Sequence, residues 1–186
     1  GRYREALDII EQLVVAWPGR AQTLLHAAYD ILRALPDPRS RYYQYQSRFV
    51  DFGIQPGQTV LDIGSGNIPF PYATHLADIA LEDHGYGRGG APFKYVDGTP
   101  VTQCDIEHMP FTDEAFDFVY CSHVLEHVQC PEKACRELMR VGRRGYIETP
   151  TPGKDLLFDY AKVSHHRWGV DLFDGVLVFS EYTPEQ

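Results

Sequence analysis

The hydrophobic pattern changes character once along the chain. In the first fifty-odd residues, apolar positions recur at helical spacing. Leu7, Ile10, Leu13, Val14 and Trp17 form one stripe, with Arg4, Glu5, Asp8 and Glu11 on the other side. Pro18-Gly19 ends that helix. Leu24, Leu25, Ala28, Ile31, Leu32 and Leu35 predict a second helix, which Pro36 ends. Asp37-Pro38 is an N-cap and first-turn pair for a third, whose face is Tyr42, Tyr45, Phe49 and Phe52, with Gly53 closing it. From Val60 the apolar runs shorten. Residues 60–63, 79–81, 116–121 and 145–149 read as strands buried on both faces. A helix is expected to start near Pro69, and Ala134, Cys135, Leu138 and Val141 predict another over 131–141. Short strands alternating with helices predict a parallel sheet with crossover helices. Asp97-Gly98 within 93–101 and Asp174-Gly175 within 168–182 predict hairpins with type I′ turns. The glycines of 84–90 predict a loop.

The expected fold class is α/β: a Rossmann-like, doubly wound, mostly parallel sheet with N-terminal helices and a C-terminal β-hairpin. Residues 1–57 read as a helical segment and 58–186 as the sheet domain. With 186 residues the chain buries a core without staples. Hydrophobic residues at 44% and charged ones at 23% exclude a disordered tail or a fibre. Acidic residues number 26 against 17 basic ones, a net charge of −9 with no Lys/Arg run. That balance argues against nucleic acid or anionic lipid as partner. No apolar run reaches membrane-span length, and no secretory signal opens the chain. Cys104, Cys121, Cys130 and Cys135 lack CxxC spacing and read as reduced thiols of a cytoplasmic protein.

The strongest chemical feature is Leu61-Asp62-Ile63-Gly64-Ser65-Gly66-Asn67-Ile68-Pro69. A strand runs into a glycine turn at the rim where open α/β sheets bind ligands. A glycine turn alone is equally a tight connection with no ligand. Glu82 and Asp83 end the next expected strand, where a carboxylate accepts hydrogen bonds from ribose hydroxyls. Asp105 and Ile106 follow, a carboxylate for an exocyclic amine beside an apolar cover for a base. Residues 116–122 bring a further strand end, with Cys121 and Ser122, to the same rim.

Residues 61–66, 105–111, 116–119, 124–128 and 136–141, in this order and spacing, resemble class I S-adenosylmethionine-dependent methyltransferases, in the small-molecule branch that includes quinone-biosynthesis enzymes. The resemblance covers about residues 58–150. It implies S-adenosylmethionine as cofactor and S-adenosylhomocysteine as product. Asp62, Gly64, Ser65 and Gly66 would surround the amino-acid part, and Glu82 or Asp83 the ribose. Asp105 and Ile106 would hold the adenine; Cys121 and Ser122 would lie under the sulfur, mostly through backbone. The chain departs from the pattern in three places. Asn67 stands where a third glycine is common, the crossover helix after Asp83 is hard to find, and the last strand pair is either partly missing, as in a shortened domain, or replaced by the Asp174-Gly175 hairpin. N-terminal helices commonly form the lid in this family.

His123, Glu126 and His127, after the fourth strand, are the candidate catalytic groups, with His127 as general base. Related quinone O-methyltransferases carry Glu-x-x-Glu-His here, which can hold a divalent metal; with His123 in place of the first Glu, the mixed set would suit zinc or a transition ion better than magnesium. Leu-Glu-His-Val is frequent in this family without metal, so no metal is expected. His165-His166-Arg167-Trp168 either line an acceptor pocket or put Trp168 in the core with the histidines exposed, and the core is the expected place for Trp168. Tyr42, Tyr43 and Tyr45 read as helix core. The function expected is methyl transfer to a small molecule, to a hydroxyl of a sugar, lipid-linked or aromatic metabolite. The rivals are a non-catalytic S-adenosylmethionine-binding module and an NAD-dependent dehydrogenase, against which Pro69 stands at the last glycine position.

Overall fold

Val60, Leu61, Asp62 and Ile63 form β1 (Val60–Ile63), all four buried, at the centre of a five-stranded parallel sheet. In the computed structural model the described residues are 9, 10, 12, 13, 15–20, 46, 50–82, 91–153 and 165–182. The chain divides into two units, residues 1–51 and 52–186. In the first, the described residues between 9 and 16 are helical, and Pro18–Arg20 forms the 3-10 turn that ends them. The second and third expected helices, including Tyr42, Tyr43 and Tyr45, lie outside the described residues apart from Gln46, which is helical, and residues 50–53, which are not, so the third helix ends before Phe52.

The sheet comprises β1, β2 (His75–Asp78), β3 (Val101–Gln103), β4 (Phe118–Ser122) and β5 (Gly145–Glu148), in the order β3-β2-β1-β4-β5. Helix α1 (Pro131–Val141) crosses from β4 to β5 over the predicted residues. The C-terminal hairpin is β6 (Trp168–Phe173) and β7 (Val176–Glu181). Asp174 and Gly175 both have positive φ, 49° and 78°, as a type I′ turn requires.

Alternation along the strands sorts two cores. Leu61, Ile63, Val119 and Cys121 join one cluster with Ile106, Met109, Leu125, Val128 and the α1 residues Ala134, Leu138 and Val141. Phe118 and Tyr120 point the other way, where Tyr120 stacks on Phe70 at 4.0 Å and on Tyr146 at 5.6 Å. Cys130 caps α1 without its side chain. Glu107 supplies the missing acceptor: its Oε1 takes the N–H groups of Gln129 and Cys130 at 2.6 and 2.7 Å.

Three expectations change. The second strand is His75–Asp78, not residues 79–81, because Asp78 Oδ1 accepts the N–H of Ala80 at 3.0 Å and turns the chain out of the sheet. No helix starts near Pro69. Pro69 and Pro71 lack N–H groups, Asp62 Oδ2 takes that of Phe70, and residues 64–74 form successive turns. Residues 93–101 are not a hairpin. Gly98 has φ +73° but Asp97 does not share it, and the turn from Val96 to Thr99 leads into β3, which pairs in parallel with β2. The loop of residues 84–90 lies outside the described residues.

Candidate functional site

The order β3-β2-β1-β4-β5 reverses direction between β1 and β4, so the crevice for a ligand opens at the carboxyl ends of these two strands. Gly64, Ser65 and Gly66 leave β1 there, and Ser122 and His123 leave β4. The glycine turn is held from β2: Gly64 and Ser65 donate to the Ala77 carbonyl, and Gly66 donates to Asp78 Oδ2 at 2.9 Å. Gly64 and Gly66 have φ +75° and +55°. Asn67 does not enter the left-handed region, so the turn needs no third glycine. A Cβ on Gly64 would stand 2.2 Å from Val124 Cγ2.

The Ser65 hydroxyl is buried beside the Asp62 carboxyl. Asp62 is also buried, and burial pushes its carboxyl up to about 7 against the lowering effects of the Phe70 N–H and the Ser65 hydroxyl; the nearby Asp78 adds to the rise. Asp78 is the acid that ends β2. Glu82, expected at that end, lies four residues beyond it and is exposed, and Asp83 lies outside the described residues. Asp105 is half-buried and its Oδ1 accepts the N–H of Glu107 at 2.9 Å. The Ile106 and Cys121 side chains are both buried in the core cluster. Ser122 is half-buried at the end of β4.

Past β4, His123 adopts φ +59°, a strained value for a residue with a side chain. Its Nδ1 stands 3.4 Å from Glu126 Oε1 and its Nε2 3.5 Å from Glu148 Oε1. Burial lowers the His123 pKa, but the carboxylates on both sides overcome this and push it up to about 9. His123 is therefore an imidazolium at neutral pH. Glu148, which sequence reasoning missed, also accepts the Tyr146 hydroxyl at 2.5 Å. His127 donates from Nδ1 to the His165 carbonyl at 2.9 Å, since a carbonyl only accepts. That bond leaves the Nε2 lone pair open, 3.9 Å from Glu126 Oε1. His166 meets His127 edge to face at 4.9 Å. Trp168 packs on the core cluster and donates from Nε1 to the Val128 carbonyl at 2.8 Å, as the core reading expects.

The family model described as a methyltransferase domain matches residues 61–147. The demethylmenaquinone methyltransferase of Thermobifida fusca is 33% identical over 128 residues, covering 63% of this chain and 52% of that protein. The ubiquinone/menaquinone biosynthesis C-methyltransferase of Cupriavidus metallidurans is 32% identical over 158 residues, covering 78% and 62%. Residues 61–147 thus carry a methyltransferase domain of the class I S-adenosylmethionine-dependent type, similar to that of quinone-biosynthesis enzymes. A solved structure of the PH0226 protein from Pyrococcus horikoshii is similar at TM-score 0.49 and 19% identity, over 82% of this chain and 79% of that one. The chain spans about half to three-fifths of these two curated relatives, 52% and 62%. No helix among the described residues is long and apolar enough to cross a membrane.

Proposed function

We propose that this methyltransferase binds S-adenosylmethionine in the crevice between β1 and β4 and transfers its methyl group to a small-molecule acceptor. The glycine turn where the strand order reverses, with the buried Ser65 hydroxyl flanked by Asp62 and Asp78, carries the reading. These groups fit a ligand rich in amine and hydroxyl donors. Asp62, Gly64, Ser65 and Gly66 hold the amino-acid part. Glu82 or Asp83 holds the ribose, with Asp78 nearby at the end of β2. Asp105 accepts from the adenine amine, with Ile106 contributing backbone. Cys121 and Ser122 lie under the sulfur through backbone, since the Cys121 side chain is buried in the core.

When bound, S-adenosylmethionine supplies a methyl group activated on a sulfonium, so the chain's own task is to hold the acceptor in line and manage its proton. His127 is the candidate base, through the Nε2 that its Nδ1 hydrogen bond leaves unused, while His123 is held charged by Glu126 and Glu148 and takes no proton at neutral pH. The hydroxyl acceptor expected from sequence gives way to a finer reading. The relatives named for C-methylation in quinone biosynthesis support an aromatic acceptor whose hydroxyl loses its proton, whose ring carbon takes the methyl as the sulfur–methyl bond breaks, and whose ring then sheds that carbon's hydrogen as a proton while the oxygen is reprotonated. We keep the cytoplasmic reading, supported by the four free thiols.

The test is incubation with isotopically labelled S-adenosylmethionine and a reduced naphthoquinol. A ring-methylated product supports this reading and a methyl ether restores the hydroxyl reading. Binding of S-adenosylhomocysteine with no product from a panel of quinols and phenols favours the non-catalytic module.

A further inference from the structure

Glu126 is fully buried, and a buried carboxylate is costly unless its oxygens are engaged. His123 Nδ1, at 3.4 Å, faces Oε1 only, and Oε2 has no hydrogen-bond partner among the described residues. On the other side, Glu126, His127 and His166 each offer a ligand atom, and these atoms lie within 4.8 Å of one another. We propose that Glu126, His127 through Nε2, and His166 form a binding site for a zinc-class divalent ion with one coordination position open.

The donor chemistry selects the ion. Two imidazoles and one carboxylate suit zinc and its transition-metal neighbours, whereas magnesium and calcium prefer oxygen donors. Three protein ligands leave a fourth tetrahedral position for water or an oxygen of a bound molecule. The supporting shell is present. The His127 Nδ1 bond to the His165 carbonyl fixes the tautomer that leaves Nε2 as a ligand.

The segment bearing His166 is also fastened in place. The Glu126 carbonyl accepts the N–H groups of Arg167 and Trp168 at 2.8 and 3.0 Å. Trp168 Nε1 bonds the Val128 carbonyl, and the Arg167 guanidinium bonds the Gln129 side chain. The third ligand therefore comes from residue 166, outside the 61–147 stretch that matches the methyltransferase domain. His123 does not join the set, because both its ring nitrogens face carboxylates.

The site has two exclusive states at the Nε2 lone pair of His127. Without an ion it is a base. With an ion, the open position takes an oxygen of the acceptor and lowers its hold on its proton. Ion binding itself does not depend on the methyl-transfer reading.

The test is a titration of the full chain with Co(II), a visible reporter for zinc sites. One equivalent should give the visible absorption of tetrahedral cobalt, which zinc abolishes by displacement. His166→Ala should weaken binding at least tenfold and His127→Ala likewise. His166→Cys should keep the ion and add a sulfur-to-cobalt charge-transfer band, which locates it at residue 166. S-adenosylhomocysteine binding, measured on each variant, reports that the crevice is folded and separates this proposal from the donor reading. Absence of the tetrahedral spectrum, or equal Co(II) affinity in the wild type and a folded His166→Ala, overturns it.

Discussion

Asp78 at the end of β2 accepts the backbone N–H of Gly66 at 2.9 Å, so the carboxylate of one strand fixes the glycine turn of the next. Its other oxygen takes the N–H of Ala80, which ends β2. One side chain thus sets both the turn and the length of the strand beside it. Asp78→Ala should lower stability by about 1–3 kcal/mol, the usual cost of orphaning donors of a charged hydrogen bond. It should also weaken S-adenosylhomocysteine binding. Chemical denaturation and calorimetric titration check the two effects, and an unchanged ligand affinity would separate Asp78 from the crevice.

Gly64 has no room for a side chain. The 2.2 Å approach of a Cβ to Val124 Cγ2 and the φ of +75° add separately. Gly64→Ala should cost about 2–4 kcal/mol, from overpacking and from the left-handed backbone. Adding Val124→Ala should remove the overpacking part and leave the backbone part. A double-mutant cycle by denaturation measures the split. Full additivity would mean that the two residues do not meet.

Burial raises the Asp62 carboxyl from 3.8 to about 7. The folded protein holds this proton more tightly than the unfolded chain. The stabilisation is complete below about 4 and is lost as pH rises towards about 7. A ligand bearing an ammonium group prefers the ionised carboxylate, so S-adenosylhomocysteine should bind more tightly as pH rises through that value. The expected gain between pH 6 and pH 8 is about tenfold, the ratio of ionised fractions for a pKa near 7. In Asp62→Asn the affinity should become flat with pH. An equally steep profile in that variant would assign the titration elsewhere.

Glu107 stands in for the side-chain cap that Cys130 lacks. Glu107→Ala should free two N–H groups at the start of α1 and cost about 1–2 kcal/mol. Hydrogen exchange should show the loss concentrated at residues 129–133, with the hairpin amides unchanged. Uniform loss across the domain would mean that Glu107 holds more than the helix start.

Local signals were legible in the sequence. The apolar runs marked β1, β4 and β5, and the spacing of Ala134, Leu138 and Val141 marked α1 at its observed bounds. The Asp174-Gly175 turn set the register of β6 and β7 because both residues adopt the positive φ it needs. The same dipeptide at 97–98 misled, since the partner of β3 is β2, distant in sequence. β2 itself was displaced towards residues 79–81 because His75-Leu76-Ala77-Asp78 has only two apolar positions, and its register is set by pairing with β1. Asp78 and Glu107 were invisible as holding residues because their partners Gly66 and Cys130 lie 12 and 23 residues away. His166 stood out in the sequence, but only the folding back of its segment onto Glu126 brings it to His127.

The central claim is that the β1–β4 crevice holds S-adenosylmethionine, and ligand-dependent thermal unfolding of the full chain tests it most directly. S-adenosylhomocysteine at about a hundred times its dissociation constant should add about 2.7 kcal/mol and raise the midpoint by about 5–10 °C. NAD at the same concentration should leave it unchanged. A rise with NAD, or none with S-adenosylhomocysteine and S-adenosylmethionine, would contradict the account.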